Sequence, residues 1–272
     1  MNLKRSAIGG FIVFIIFFIS SSDIYSFHKF SKGSLTIKDP FSFDSLNLND
    51  GTDPSKPVSR IDIQNDFYWD WLEYKDDRFY NALQLNGGKT FCKGHLYLYL
   101  SIPLIFTNLT FETQTGLGDI KLDVQYSTNK SHNLNIITGS EFIFPSGSSA
   151  ETSLGKFIAG PYAGFINYFS SGYYGLILTD YFSYAGQSNR NNIHELSVNP
   201  LFKFNLGNNW YTLITPDIIY TYRTGKFFIP YTQEFGKMFN RNFTASVKAG
   251  IHLKNDNKYD VLGELKLSYL YN

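Results

Sequence analysis

The chain has 272 residues, with 24 Lys and Arg against 23 Asp and Glu, and this near-neutrality argues against a nucleic-acid partner. Its single cysteine, Cys92, rules out an intramolecular disulfide. Tyr (20) and Phe (26) far outnumber Trp (3), and past the N-terminal segment no apolar run of about 20 residues remains, which excludes transmembrane helices. A chain this aromatic can still occupy a bilayer as a barrel, because lipid-facing and lumen-facing residues then alternate and the mean hydropathy looks soluble.

In chain order, Lys4 and Arg5 precede an apolar run from Ile8 to Ile19, followed by Ser20 to Ser22 and Ser26. That order is a secretory signal peptide over residues 1–26, cleaved after Ser22 or Ser26. The alternative of a membrane anchor fails on length, since about 12 apolar residues cannot span about 30 Å as a helix. Residues 27–58, rich in Ser, Asp, Asn, Gly and Pro, read as an irregular periplasmic segment. Arg60–Gln64 and Asn81–Leu85 alternate and could form one hairpin, while Phe67–Tyr74 could equally be a short helix.

Regular alternation begins near Gly94. Leu96, Leu98, Leu100 and Ile102 share one parity against Tyr97, Tyr99 and Ser101. Ile120, Leu122, Val124 and Tyr126 alternate with Lys121, Asp123 and Gln125. Phe243 to Leu253 and Tyr259 to Tyr271 repeat the pattern. A period of two over about ten residues suits a strand tilted across a bilayer. The expected fold is therefore all-β: a transmembrane antiparallel up-and-down barrel of about 10–12 strands over residues 59–272.

Long outward loops (Leu104–Leu117, Pro145–Gly155, Ala185–Asn192) alternate with short turns (Thr128–His132, Ser170–Gly172, Gly207–Asn209), the asymmetry of such barrels. Tyr126, Tyr168, Tyr173, Trp210, Tyr222, Tyr259 and Tyr271 lie near strand ends, as interfacial aromatics do. A secreted barrel or sandwich would show the same alternation, so loop asymmetry, aromatic belts and the signal-like start decide for the outer membrane.

Thr115-Gly116-Leu117-Gly118-Asp119-Ile120 runs straight into a strand, and Phe144-Pro145-Ser146-Gly147 closes the next, followed by Leu154-Gly155 and Ala159-Gly160-Pro161. From Gly94 to Asn272 the chain resembles the outer-membrane channel family associated with the meta-pathway of phenol degradation. The resemblance implies a channel for small apolar or aromatic compounds and carries over no catalytic residue. Ser146 stands where the family usually has Thr, and Tyr271-Asn272 departs from the terminal aromatic on which many barrels close. From the residues alone, Gly116 and Gly118 suit positive φ or close backbone approach.

No enzyme, metal or cofactor is expected. The five histidines show no metal-ligand spacing, and Ser246 lies roughly 20 Å along the strand from His252, too far for a nucleophile–base pair. Folding back the last hairpin sets Lys248 opposite Glu264 and Ser246 opposite Lys266. Around Asn208 it sets Asn199 opposite Asp217 and Glu195 diagonal to Arg223. These charges read either as a paired lumen wall or as a selecting ring.

Phe157–Phe169 and Tyr173–Tyr184 are apolar on both parities. Either this wall packs against an inward loop or the N-terminal segment, or Leu176, Leu178 and Phe182, with Asp180, line an apolar permeation path. Pro161, Pro200, Pro216 and Pro230 each imply a bulge or, less simply, a lateral opening. Expected partners are outer-membrane lipids, small hydrophobic solutes and the barrel-assembly machinery. A structural or adhesive surface barrel without transport is the alternative function.

Protein recovered from outer-membrane fractions is expected to begin after Ser22 or Ser26 on N-terminal sequencing, and to shift its gel migration on boiling. A chain retaining Met1, or a soluble periplasmic one, contradicts this.

Overall fold

The computed structural model describes residues 49–70, 78–108, 112–129, 133–254 and 261–271. Their strands are β1 (Ser59–Asp70), β2 (Arg78–Phe91), β3 (Leu96–Thr107), β4 (Gln114–Leu117), β5 (Ile120–Asn129), β6 (Leu134–Phe144) and β7 (Lys156–Phe169), then β8 (Gly172–Gly186), β9 (His194–Gly207), β10 (Trp210–Pro216), β11 (Ile218–Thr221), β12 (Lys226–Asn240), β13 (Phe243–Lys254) and β14 (Val261–Tyr271).

Every neighbour pairs antiparallel, and β1 pairs β14 from Ser59↔Tyr271 to Trp69↔Val261, which closes the sheet on itself. β4 and β5 both pair β3, and β10 and β11 both lie between β9 and β12, so each couple is one broken strand. The barrel therefore has twelve strands. The early hairpin forms as β1 and β2, and Phe67–Asp70 is strand rather than helix. The remainder of Phe67–Tyr74 lies outside the described residues. β3 reaches Thr107 and β4 starts at Gln114, so the first outward loop is shorter than expected.

The alternation sorts itself as hydrophobicity dictates. On β14, Leu265, Leu267 and Tyr269 are exposed outward while Glu264 and Ser268 are buried inside. On β3, Leu100 and Ile102 point out and Tyr97, Ser101 and Ile105 point in. Exposed aromatics ring the barrel at the short-turn end (Tyr126, Tyr174, Phe204, Trp210, Phe239, Tyr269) and at the other (Trp69, Tyr184, Tyr222, Phe227). Tyr174 and Tyr184 stand at opposite ends of β8. Ten residues of tilted strand span about 25 Å, the height of the apolar band of such barrels. Two expected belt residues, Tyr168 and Tyr173, instead point inward, and Tyr259 lies outside the described residues.

The hairpin turns are tight. Asn208 (φ 48) and Asn209 (φ 63) form the two-residue link between Gly207 and Trp210, both in the left-handed region that Asn tolerates.

Proline positions mark the breaks. Register runs through Ile214↔Phe202 and Ile218↔Val198, so Pro200 faces Pro216 where β10 stops and β11 starts. Neither residue has an N–H to give, and the ladder lapses there. Pro161 continues the ladder toward β6, but no pair forms between Ala159↔Phe182 and Tyr162↔Thr179 on its β8 side. Pro230 sits at a register shift against β13. Pro103, which the sequence reading passed over, faces the β4–β5 break and accepts from Gly118 N at 2.9 Å.

Leu267→Arg, on the lipid face near mid-strand, is expected to cost about 2–4 kcal/mol in bilayer unfolding titrations, whereas Tyr271→Arg at the strand end should cost about 0–1. Equal costs at the two positions would contradict this assignment of depth and face.

Candidate channel interior

The wall from β12 through β14 to β3 holds several of its charges in ion pairs. Lys248 is the ladder partner of Glu264 and forms an ion pair with it. Lys266 reaches Glu234 at 3.4 Å and Glu264 at 3.7 Å, and Tyr211 Oη donates to Glu234 at 2.9 Å. Further round, Arg60 pairs with Asp62 at 3.0 Å, and Tyr99 Oη donates to the same carboxylate. Asp66 accepts from Gln64 and Gln84, and Ser101 donates to Gln84. Buried charges must be compensated in this way, because an uncompensated one would cost several kcal/mol.

The facing wall, β5 to β11, is differently built. Asp123 is the ladder partner of Glu141, both pointing inward. Tyr162 Oη donates to Asp123 at 2.9 Å, Ser197 to Asp217 at 2.6 Å, and Thr221 to Glu195 at 3.1 Å. The Tyr181 ring lies over Gly160, where any Cβ would come within 2.5 Å of it.

Between these walls, at the short-turn end, residues 49–58 cross the bore as a strap. Asp50 pairs with Lys203 of β9, and Tyr173 Oη of β8 donates to Thr52 O at 2.8 Å. Tyr168 of β7 donates to Asp53, and Asn135 of β6 donates to Ser55 Oγ at 3.0 Å. Gln125 of β5 donates to Pro54 O, and on the other side Arg60 of β1 donates to Gly51 O at 2.6 Å. The strap is thus anchored to both sides of the bore. Its described part, residues 49–58, carries no strand or helix and is set into the barrel rather than hanging below it.

At the opposite mouth the two glycine-bearing motifs meet. The register shifts by one residue between Leu104↔Leu117 and Ser101↔Lys121, and the bulge turns both Gly118 and Asp119 inward. Asp119 then accepts from Gly147 N (3.1 Å), Ser153 Oγ (2.6 Å) and Leu154 N (2.7 Å), pinning the β6–β7 loop. Neither glycine has positive φ; close approach is what they supply. A Cβ on Gly116 would lie 2.0 Å from Ser148 Oγ, and one on Gly118 would lie 2.3 Å from Ile105 Cδ1. Arg190 donates to Ala150 O, joining the β8–β9 loop to this cap.

Of the residues expected along the bore, Lys248, Glu264, Glu195 and Asp217 face inward, and Arg223 sits in the exposed β11–β12 turn. Leu176, Leu178, Asp180 and Phe182 are corrected: they stand on the outer face of β8. The inward set of β8 is Tyr173, Gly175, Ile177 and Thr179, fixed by the Tyr173–strap bond, while Leu178 is 45% and Phe182 38% exposed. Asp180 served as the polar marker of the inner face, but it meets His194 at 3.2 Å on the outside.

The inner side of β7–β8 is apolar because Ile166, Tyr173 and Leu201 pack as one cluster behind the strap. His252 lies on the inner wall against the Phe228 ring at 4.4 Å, and Asp260 lies outside the described residues. Among the described residues no group of three His, Cys, Asp or Glu could hold a metal. Sequence reasoning missed Asp50, Asp53, Lys203 and the clasp at Asp119. Lys203 shares the parity of Asn199 and Asp119 that of Asp123, but nothing local names their partners.

No family model and no curated protein matches the chain. Solved structures do. An outer membrane channel from Pseudomonas putida F1 matches with TM-score 0.63 at 10% identity, over 79% of this chain and 96% of that one. The KdgM porin matches with TM-score 0.52 at 13% identity (78% and 99%), and the NanC porin with 0.53 at 10% (78% and 99%). What these share with the chain is a fold: it is a bacterial outer-membrane β-barrel of the kind that channels and porins use.

Lys203→Met should strand the Asp50 carboxylate and weaken strap docking by about 1–3 kcal/mol. Limited proteolysis of the folded barrel should then cut within residues 49–58 faster than in wild type, with boiling-dependent migration retained. An unchanged cleavage rate would mean that the strap does not depend on this pair.

Proposed function

We propose that the chain is a passive outer-membrane channel for small solutes. The observation that carries this is a closed barrel with a polar, charge-bearing inner face, a face that a lipid-filled or purely structural barrel would not need. The channel and porin folds of its neighbours support the same reading. Export by the N-terminal signal and insertion by the barrel-assembly machinery belong to the proposal.

The solute class is inferred from the wall. With Leu176, Leu178 and Phe182 on the lipid side, no apolar lane supports the passage of wholly apolar compounds. Tyr99, Tyr162 and Tyr181 face inward among carboxylates and amides, and ring faces beside hydrogen-bonding groups suit small aromatics that carry a polar group, such as phenols. Ring–ring contacts of this kind are worth about 0.5–1.5 kcal/mol, enough to favour a solute without trapping it. The acidic stretch of the wall is unsuited to a polyanion, the class of the oligogalacturonate bound in one KdgM structure.

One observation favours the structural alternative. The strap crosses the mouth, and if it never moves the barrel conducts little.

In cells lacking other channels, phenol uptake is expected to be faster with the protein than without it, and Tyr181→Ala should slow phenol more than glycerol. Equal phenol uptake with and without the protein would remove the transport reading. A Tyr181→Ala effect equal on both solutes would remove only the aromatic preference.

A further inference from the structure

The two walls of the bore treat charge unequally. From β12 to β1 the described ion pairs bind three inward cations to carboxylates: Lys248 to Glu264, Lys266 to Glu234 and Glu264, Arg60 to Asp62. Lys203 is occupied by Asp50 of the strap. None of these cations is left to offset the facing wall.

There, Asp123 and Glu141 stand directly opposite each other across the β5–β6 ladder, and the ion pairs among the described residues include neither. Like charges opposed in this way destabilise a ladder. Glu141 is partnered on its other side by Gly160, so no side chain of β7 stands between it and the bore. Asp123 takes a neutral donor, the Tyr162 hydroxyl. Glu195 and Asp217 lie beyond Tyr181 on the same face, each accepting from a hydroxyl. Lys121, two residues from Asp123, is the cation on this face of β5.

We propose that this wall makes the bore cation-selective, so that small cations pass in preference to anions of similar size. The inference rests on the channel reading and deepens it. Carboxylates held in a narrow, low-dielectric wall focus a negative potential across the lumen and raise the local concentration of cations. The field acts on passing solutes, with no resident ion required. Tyr162 and Tyr181 add ring faces beside the carboxylates, a pairing that also favours organic ammonium groups. Among small aromatics, amines should therefore pass more readily than carboxylates.

The test is the zero-current potential of the full-length folded protein in planar bilayers under a KCl gradient, repeated with tetramethylammonium chloride. Wild type should give the sign of cation permeation in both salts. Asp123→Asn combined with Glu141→Gln removes a repulsive pair, so it should fold. It should move the potential at least halfway to zero. Asp180→Asn, on the outer face, should leave it unchanged. An anion-selective or unselective wild-type current would overturn the inference while leaving the channel reading intact, as would a double variant with wild-type selectivity. Verified insertion without any current would overturn the channel reading and this inference with it.

Discussion

Everything in this molecule follows from one constraint: a backbone amide or carbonyl facing hydrocarbon must find its partner within the protein. Twelve strands satisfy it by closing β1 on β14 over eleven register pairs, so that no edge is left to lipid. Closure in turn fixes which residues face in. Once β14 is held between β13 and β1, Leu265 and Leu267 have only lipid to meet, and Glu264 and Lys266 have only the lumen. The charge pairs inside are a consequence of closure rather than its cause.

The same constraint explains where the barrel departs from regularity. The two strand breaks face Pro103 and Pro200, and Pro161 and Pro230 sit at further lapses, whereas the shifts at Trp210/Tyr211 and Met238/Asn240 have no proline beside them. The break at Gly118–Asp119 does more than bend the wall. By adding one residue it brings Asp119 to the inside, where three donors of the β6–β7 loop converge on it. The strap at the other end follows a related logic. Residues 50–55 cannot form a strand without an edge to join, so their polar groups are met by tyrosines, amides and Lys203 of the inner wall.

Much of this was legible in the sequence where one face is polar. β3, β5, β13 and β14 alternate cleanly, and the register around Asn208 and across Lys248–Glu264 followed from turn chemistry alone. Reading failed on β7 and β8, and the reason is physical. Their inner face is covered by the strap and by Ile166, Tyr173 and Leu201, so it needs no charge, and parity loses its marker. Asp180, the one charge within Tyr173–Tyr184, belongs to a pair with His194 on the outside and pointed the assignment the wrong way. The long-range partners of Asp50, Asp53 and Asp119 were invisible for a different reason: they depend on closure, which no local pattern encodes.

A polar bore runs through the barrel, and the chain's own residues 49–58 cross it. Single-channel recordings test this most directly, comparing the full-length protein with a chain that lacks the residues between the expected signal peptide and Ser59. Larger unitary conductance in the shortened chain, with boiling-dependent migration preserved, is the result this account predicts. Equal or smaller steps from a correctly folded shortened barrel would contradict it.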